Sequence, residues 1–160
     1  MTEPDLTTHF TARRTMTGLE YMRKLVAGEI ESSPMAKLLN IRIVDVDEGR
    51  VVVTAEPTPE FENGLRIAHG GFAATLLDTA LGCAVNSVMP AGKVFTTLEM
   101  KINFTRAVTQ KTGTLTCTAS VVHAGSRTAT AEGRIVDDAG VVYAHGSATC
   151  ILFRDTTEGS

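Results

Sequence analysis

The sequence predicts an α+β fold in which a strongly bent antiparallel sheet of five to six strands wraps around one central helix. The first observation is a long apolar segment, Gly70 to Met89, whose apolar side chains cover most of a helix circumference. The second is that β-branched runs separated by turn residues lie on both sides of it. The third is length, because 160 residues fit a single domain.

Helical signals come first along the chain. Thr17 and Glu20 form a T-x-x-E capping box, and apolar residues then recur at helical spacing as far as Glu31. Ser33 before Pro34 predicts a second, short helix, because proline suits the first helical position. We therefore expect helices over 17–40 and a disordered or peripheral segment over 1–16.

From Ile41 onward, the chain is predicted to form the core of the sheet. A hairpin is expected to turn at Glu48 and Gly49. The pattern predicts further strands after the central helix at Val94 to Arg106, Thr114 to His123, Thr128 to Val136 and Val141 to Phe153. The core then spans 41–153, and 154–160 form a tail.

Composition excludes several classes of function. A net charge of −3 and an isoelectric point near 5.8 argue against a nucleic-acid partner, which normally requires a clustered basic face. Asp78 within the apolar segment indicates a buried helix rather than a membrane span. The amino terminus lacks the features of a secretory signal, so we expect a cytoplasmic protein. Three scattered cysteines and unclustered histidines suggest neither disulfides nor a metal site, and no cofactor is expected.

One segment combines groups that suit acyl transfer. A helix that begins at Gly70 leaves its first amides without intrahelical partners, and these amides can stabilise an oxyanion. Asp78 lies two turns further along an otherwise apolar helix, where an ionised carboxylate is costly unless it has a partner or a task. Together they offer a base or nucleophile and a site for a carbonyl oxygen.

The runs ENGLRIAHGGFAATLLDTALGCAV and FTTLEMKINFTRAV resemble the PaaI-type acyl-CoA thioesterases of the hotdog superfamily. The resemblance implies a hotdog fold, an acyl-CoA substrate, and a homodimer or dimer of dimers whose active site is shared between subunits. It implies that Asp78 of one subunit is the base or nucleophile and that the Gly70 amide of the other binds the thioester oxygen.

Other positions acquire roles from the same resemblance. Asn63 would lie near the attacking water, and His69 would order the loop and touch the thioester region. Thr97 would hold the water or the carboxylate, with Thr96 as its substitute. Gly71 would adjoin the substrate, with tight helix packing as the alternative.

The remaining implied contacts concern the CoA moiety. Arg66 replaces the family's usual glycine and would bring charge near a CoA phosphate, or remain a solvated loop residue. The turn at Gly125, Ser126 and Arg127 resembles the family's turn that supports the pantetheine and phosphates, although a plain β-turn explains it equally well.

Two other functions remain open. A non-catalytic acyl-CoA sensor normally carries a DNA-binding unit, for which the first 33 residues are short and acidic. A hydratase or dehydratase would need Asp/His or His/Glu pairs that the sequence does not display. The identity of the acyl group does not follow from the sequence.

Overall fold

The structure, a computed structural model, describes residues 7–154 except for the side chains of Thr7 and Phe10. The rest of the predicted N-terminal segment (1–6) and of the tail (155–160) lies outside the described residues. The helices are α1 (Thr7–Thr15), α2 (Gly18–Val26), α3 (Pro34–Leu38) and α4 (Gly70–Ser87). The strands are β1 (Arg42–Asp47), β2 (Arg50–Ala55), β3 (Lys93–Phe104), β4 (Leu115–Ala124), β5 (Thr128–Val136) and β6 (Val142–Arg154).

The six strands form one antiparallel sheet in the order β1-β2-β4-β5-β6-β3. Helix α4 packs against all the strands from β2 to β6 and against α2. Its inner residues, among them Leu76, Leu77, Ala80 and Leu81, are completely buried. The predicted hotdog fold is therefore confirmed, with six strands around one central helix.

Strand β3 contains a bulge that keeps one face of the strand on α4. Thr97 pairs with Cys150 and Glu99 with Thr149, so Leu98 is an extra residue on β3. Because side chains alternate across a strand, the extra residue reverses which positions face the helix. Consequently Phe95 and Thr97 contact α4 before the bulge, and Phe104 contacts it after the bulge.

The N-terminal helices pack closely on α4. A Cβ added at Gly18 would lie 1.6 Å from the carbonyl oxygen of Asn86, so only glycine fits where α2 meets α4. The Gly18 amide also donates a 2.8 Å hydrogen bond to the Met89 carbonyl. This contact fixes α2 across the end of the central helix.

Two details at the amino terminus differ from the prediction. Helix α1 lies in a segment for which no helix is predicted, and its Ala12 is buried against the core. Helix α2 ends at Val26 rather than near Glu31, and Gly28 then takes a positive φ of 74°, which terminates helices. The capping box at Thr17 and Glu20 and the cap at Ser33 are both confirmed.

Candidate active site

The start of α4 is capped by the side chain that precedes it. His69 is the N-cap, and its Nδ1 accepts a 3.0 Å hydrogen bond from the Gly71 amide. An accepting Nδ1 carries no proton, so the neutral ring has its hydrogen on Nε2. The Gly71 amide is thereby committed to the cap and is not available to a ligand.

The Gly70 amide is different, because no acceptor within residues 7–154 takes its hydrogen bond. It lies at the positive end of an 18-residue helix, where a partial positive charge favours an anion. The Phe104 ring approaches Gly70 closely, at 3.3 Å from the position a Cβ would take. The absence of a side chain thus lets an aromatic wall lie directly beside an unpaired donor.

Asp78 is half-buried two turns further along the same helix. Its Oδ1 accepts a 2.9 Å hydrogen bond from the Thr97 hydroxyl on β3. In the described part of the chain, this is the only hydrogen bond of the Asp78 carboxylate, and no cation pairs with it. Thr97, rather than the alternative Thr96, is the residue that orients the acid.

The loop before α4 is organised by Asn63. Its Oδ1 accepts from the Leu65 amide at 2.8 Å, and its backbone amide donates to the Ile67 carbonyl at 2.8 Å. Arg66 lies between them with a positive φ of 57°, in the left-handed region that glycine occupies without strain. Arginine therefore takes the backbone conformation that glycine would favour at this position, at a cost in strain.

A cleft of about 380 Å³ brings three of the predicted residues together, because Asn63, His69 and Gly70 all line it, as do Phe104 and Tyr143. Asp78 does not line it. Gly70 and Asp78 are eight residues apart on one helix, which separates their backbones by about 12 Å along its axis. Within one chain, the predicted donor and the predicted acid thus face different spaces.

The predicted CoA-binding turn joins β4 to β5. The Gly125 amide donates to the Thr128 carbonyl at 2.8 Å, so it belongs to the hairpin and cannot also bind an anion. The Ser126 amide and the exposed Arg127 remain available. Lys93 adds a charge here, because its Nζ donates to the Ser126 carbonyl at 3.1 Å. No sequence pattern pointed to Lys93, which lies 33 residues away along the chain.

Two thiols lie near the acid but are poor nucleophiles. Burial raises the pKa of Cys83 to about 12, although the positive charge of Arg13 opposes the shift. Burial also raises the pKa of Cys150, while its hydrogen bond with Thr97 opposes the shift. The reactive form of cysteine is the thiolate, so neither of these two thiols is suited to act as the nucleophile.

Within residues 7–154, no group of three or more His, Cys, Asp or Glu residues is arranged to hold a metal ion. The same part of the chain contains no helix with the length and apolarity needed to cross a bilayer.

The sequence of the chain matches the family model described as the thioesterase superfamily over residues 65–144. The acyl-coenzyme A thioesterase PaaI of Escherichia coli is 37% identical over 107 residues, which cover 67% of this chain and 74% of the relative. A 1,4-dihydroxy-2-naphthoyl-CoA hydrolase of Listeria monocytogenes is 30% identical over 105 residues, 65% of this chain and 83% of the relative.

Solved structures agree with these relatives. The PaaI protein from the phenylacetic acid degradation operon of E. coli superposes with a TM-score of 0.75 at 30% identity. The superposition covers 86% of this chain and 96% of that one. A conserved protein of Pseudomonas aeruginosa superposes with a TM-score of 0.72 at 29% identity, over 76% of this chain and 95% of the other.

Proposed function

Because this chain belongs to the thioesterase superfamily of hotdog proteins, we propose that it hydrolyses an acyl-CoA thioester to the free acid and CoA, at a site shared by two copies of the chain. The observation that carries the proposal is a pair of groups on α4. Among residues 7–154, the Gly70 amide at the start of the helix has no partner, and the Asp78 carboxylate is held only by Thr97.

In the proposed reaction, the thioester carbonyl accepts a hydrogen bond from the Gly70 amide. Asp78 takes a proton from a water molecule, and the water oxygen forms a bond to the carbonyl carbon. The tetrahedral oxyanion lies at the positive end of α4, which stabilises it. The carbon–sulfur bond then breaks, the carboxylic acid is released, and the CoA thiolate leaves to be protonated. Direct attack by Asp78 on the carbonyl, followed by hydrolysis of the anhydride, uses the same groups.

The distance between Gly70 and Asp78 within one chain supports an active site shared by two copies. Residues eight positions apart on one helix cannot both contact the same carbonyl group, whereas a second copy related by a two-fold axis can bring its Asp78 to the Gly70 of the first. Strand β3 is an edge strand with exposed Leu98 and Phe104, and an edge of this kind needs to be covered. We propose that β3 is where the two sheets join.

The CoA moiety is assigned to the basic turn between β4 and β5. Arg127 and Lys93 supply charge there, and the Ser126 amide supplies a donor. Arg66 is exposed next to the cleft and is proposed to contact a CoA phosphate. Asn63 and His69 line the cleft beside Gly70, where Asn63 would hold the water and the Nε2 hydrogen of His69 would face the thioester.

The decisive test removes each of the two groups, and Gly70→Ala, which adds the same Cβ 3.3 Å from Phe104 but keeps the amide hydrogen, is the control for the second. Asp78→Asn keeps the shape and removes the base, so kcat should fall by at least about a hundred-fold. Gly70→Pro removes the amide hydrogen at a helix position that tolerates proline, after a residue with an extended ψ of 139°. It should lower kcat by about a hundred- to a thousand-fold.

The turnover of both variants is measured as the release of CoA thiol from short, medium, long and aromatic acyl-CoA esters. Asp138→Asn, on an exposed turn, is the matched control and should behave as wild type. Near-full turnover by Asp78→Asn would contradict the assignment. If the wild type binds CoA tightly but hydrolyses none of these esters, the protein is a sensor rather than an enzyme.

A further inference from the structure

A second cavity lies on the far side of the acid from the cleft. Its volume is about 100 Å³, and it is enclosed by α2, α3 and β1 on one side and by Thr79, Cys83 and Asn86 of α4 on the other. These three residues are spaced i, i+4 and i+7, so they form one stripe of the helix, next to the one that carries Asp78. Phe95 of β3 completes the wall.

The cavity adjoins the proposed reaction centre along the strand as well as along the helix. Phe95 and Thr97 project from the same face of β3, two residues apart, which separates them by about 7 Å. Thr97 holds Asp78, and Phe95 borders the cavity. The Phe95 ring lies against Gly82, one turn from both Asp78 and Asn86, so an acyl group whose carbonyl lies at Asp78 must pass this ring to enter the cavity.

Asn86 is an unusual residue to find in its wall. It is only 4% exposed, yet its carboxamide forms no hydrogen bond with any residue in 7–154. No fully enclosed polar side-chain atom in the described part of the chain lacks a partner, so this carboxamide is open to the cavity. An amide that faces a cavity without a protein partner can form hydrogen bonds with a polar ligand that enters it.

Arg13 supplies a positive charge to the same cavity. Its guanidinium lies 5.1 Å from the centre of the Tyr21 ring, and within residues 7–154 no carboxylate pairs with it. The hydroxyl-bearing residues Ser32 and Ser33 also line the space, and none of the lining residues is acidic. The polar groups around this cavity are thus suited to an anion, and a guanidinium binds a carboxylate with two parallel hydrogen bonds.

We propose that this cavity binds a carboxylate at the far end of the acyl group, so that the preferred substrates are CoA monothioesters of linear dicarboxylic acids. The inference rests on the proposed thioester hydrolysis. Arg13 and the Asn86 amide hold the distal carboxylate. At about 100 Å³ the cavity is smaller than the roughly 150 Å³ that accepts a benzene ring, so it accommodates the distal carboxylate and the adjoining methylene groups rather than an aromatic ring.

The length of the acyl chain follows from the helix. Asp78 and Asn86 are eight residues apart, a distance of about 12 Å along the axis. Allowing for hydrogen bonds at both ends, the two carbonyl carbons of the substrate lie about 8 Å apart, which a chain of roughly six to eight carbons spans.

The test compares octanedioyl-CoA with octanoyl-CoA, which differ only in the distal carboxylate. Wild type should show the higher kcat/KM for octanedioyl-CoA. Arg13→Met keeps an apolar stem and removes the charge, so the ratio of the two kcat/KM values should fall by about ten- to a hundred-fold. Asn86→Asp keeps the shape but places a carboxylate in the cavity, and it should lower the ratio similarly. Arg23→Met, exposed on α2, is the matched control with an unchanged ratio.

Calorimetric titration of free octanedioate against octanoate gives a second measurement that does not depend on hydrolysis. Octanedioate should bind wild type more tightly, and Arg13→Met should remove the difference. The inference is overturned if the wild type hydrolyses both esters with equal kcat/KM, or if neither variant changes the ratio of the two kcat/KM values. Either result leaves the proposed function intact. If neither these two esters nor the acyl-CoA panel is hydrolysed, the proposed function fails, and the titration alone then decides whether the cavity binds dicarboxylates.

Discussion

Arg66 illustrates how a single residue can keep the shape of a site while straining it. Its positive φ of 57° places its Cβ close to the following carbonyl oxygen, whereas glycine has no Cβ to clash. The turn is held by Asn63, which bonds to the Leu65 amide and, through its carbonyl, to the Arg66 amide. The proposed contact with a CoA phosphate would offset this strain when the substrate binds.

Arg66→Gly should therefore stabilise the fold while weakening substrate binding. The free energy gained by relieving the strain is larger than the free energy lost because glycine increases the entropy of the unfolded chain. The free energy of unfolding should therefore rise by about 0.5–1 kcal/mol. Urea denaturation measures this change. Asn40→Gly is the control, because Asn40 also has a positive φ, 52°, but asparagine adopts it more easily. An unchanged KM for acyl-CoA in Arg66→Gly would remove the proposed phosphate contact.

His9 should make stability depend on pH. Burial is the main cause that lowers the pKa of His9 below the usual value, and the nearby positive charge of Arg13 lowers it further. The Nδ1 atom of His9 lies 2.7 Å from the Tyr21 hydroxyl. Between the lowered pKa and the unfolded value near 6.5, the unfolded chain binds a proton that the folded chain does not. Stability is therefore complete above pH 6.5 and decreases as the pH falls through this window.

His9→Gln should remove that part of the dependence. We expect its melting temperature to change less than that of the wild type between pH 7.5 and pH 5. Parallel thermal scans of the two proteins at several pH values measure the effect, and identical slopes would contradict it.

At this scale, sequence patterns single out Asp78 and Gly70 more clearly than the groups around them. Asp78 stands out because a charge in an apolar helix is costly, and Gly70 because a helix begins there. Arg13, Lys93 and Asn86 gave no comparable signal. Each becomes relevant only through contacts with residues distant in sequence, as when Lys93 reaches Ser126.

Among the elements, the contact between α2 and α4 depends most on one residue. Gly18 allows the α2 backbone to meet the Asn86 carbonyl directly. The same contact brings α2 against α4 beside the second cavity, so α2 contributes to a wall of the proposed binding site.

Gly18→Ala should force the two helices apart. Because the added methyl group would meet backbone rather than a mobile side chain, we expect a loss of about 1–3 kcal/mol or more in unfolding free energy. Gly64→Ala is the control, since nothing lies within 4 Å of its added Cβ, and it should change stability by no more than about 0.5 kcal/mol. Chemical denaturation compares them, and equal stabilities would contradict the packing described here.

Local sequence signals identified most of the elements. The predicted strand Thr128 to Val136 agrees with β5 at both ends, and the predicted start of α4 is correct. Helix α1 was not predicted because its residues are mostly polar and form no apolar stripe. Its packing against the core stabilises it, and local sequence does not show that packing. The bulge at Leu98 was not predicted either, since it is defined by the register with β6.

At the scale of the whole molecule, the question is whether two chains together form one active site. Mixing inactive variants answers it, because Asp78→Asn and Gly70→Pro damage different halves of the proposed site. In a dimer that contains one of each, one site receives both defects, and the other receives an intact Asp78 and an intact Gly70.

Unfolding and refolding an equal mixture should therefore restore about a quarter of wild-type activity, because half of the dimers are mixed and each has one good site. Refolding each variant alone is the control and should give about a hundredth of wild-type activity or less. A mixture that stays inactive, although light scattering shows dimers, would mean that each site takes both groups from one chain, and it would contradict the shared site.

The three cysteines have a practical consequence for these measurements. Colorimetric assays detect the released CoA with a disulfide reagent, which also reacts with protein thiolates. Burial raises the pKa of all three thiols, for Cys83 and Cys117 to about 12, so at neutral pH almost none of each is ionised. The folded enzyme should give a low blank in such an assay, and a rising blank would warn the experimenter that a variant is unfolding in the cuvette.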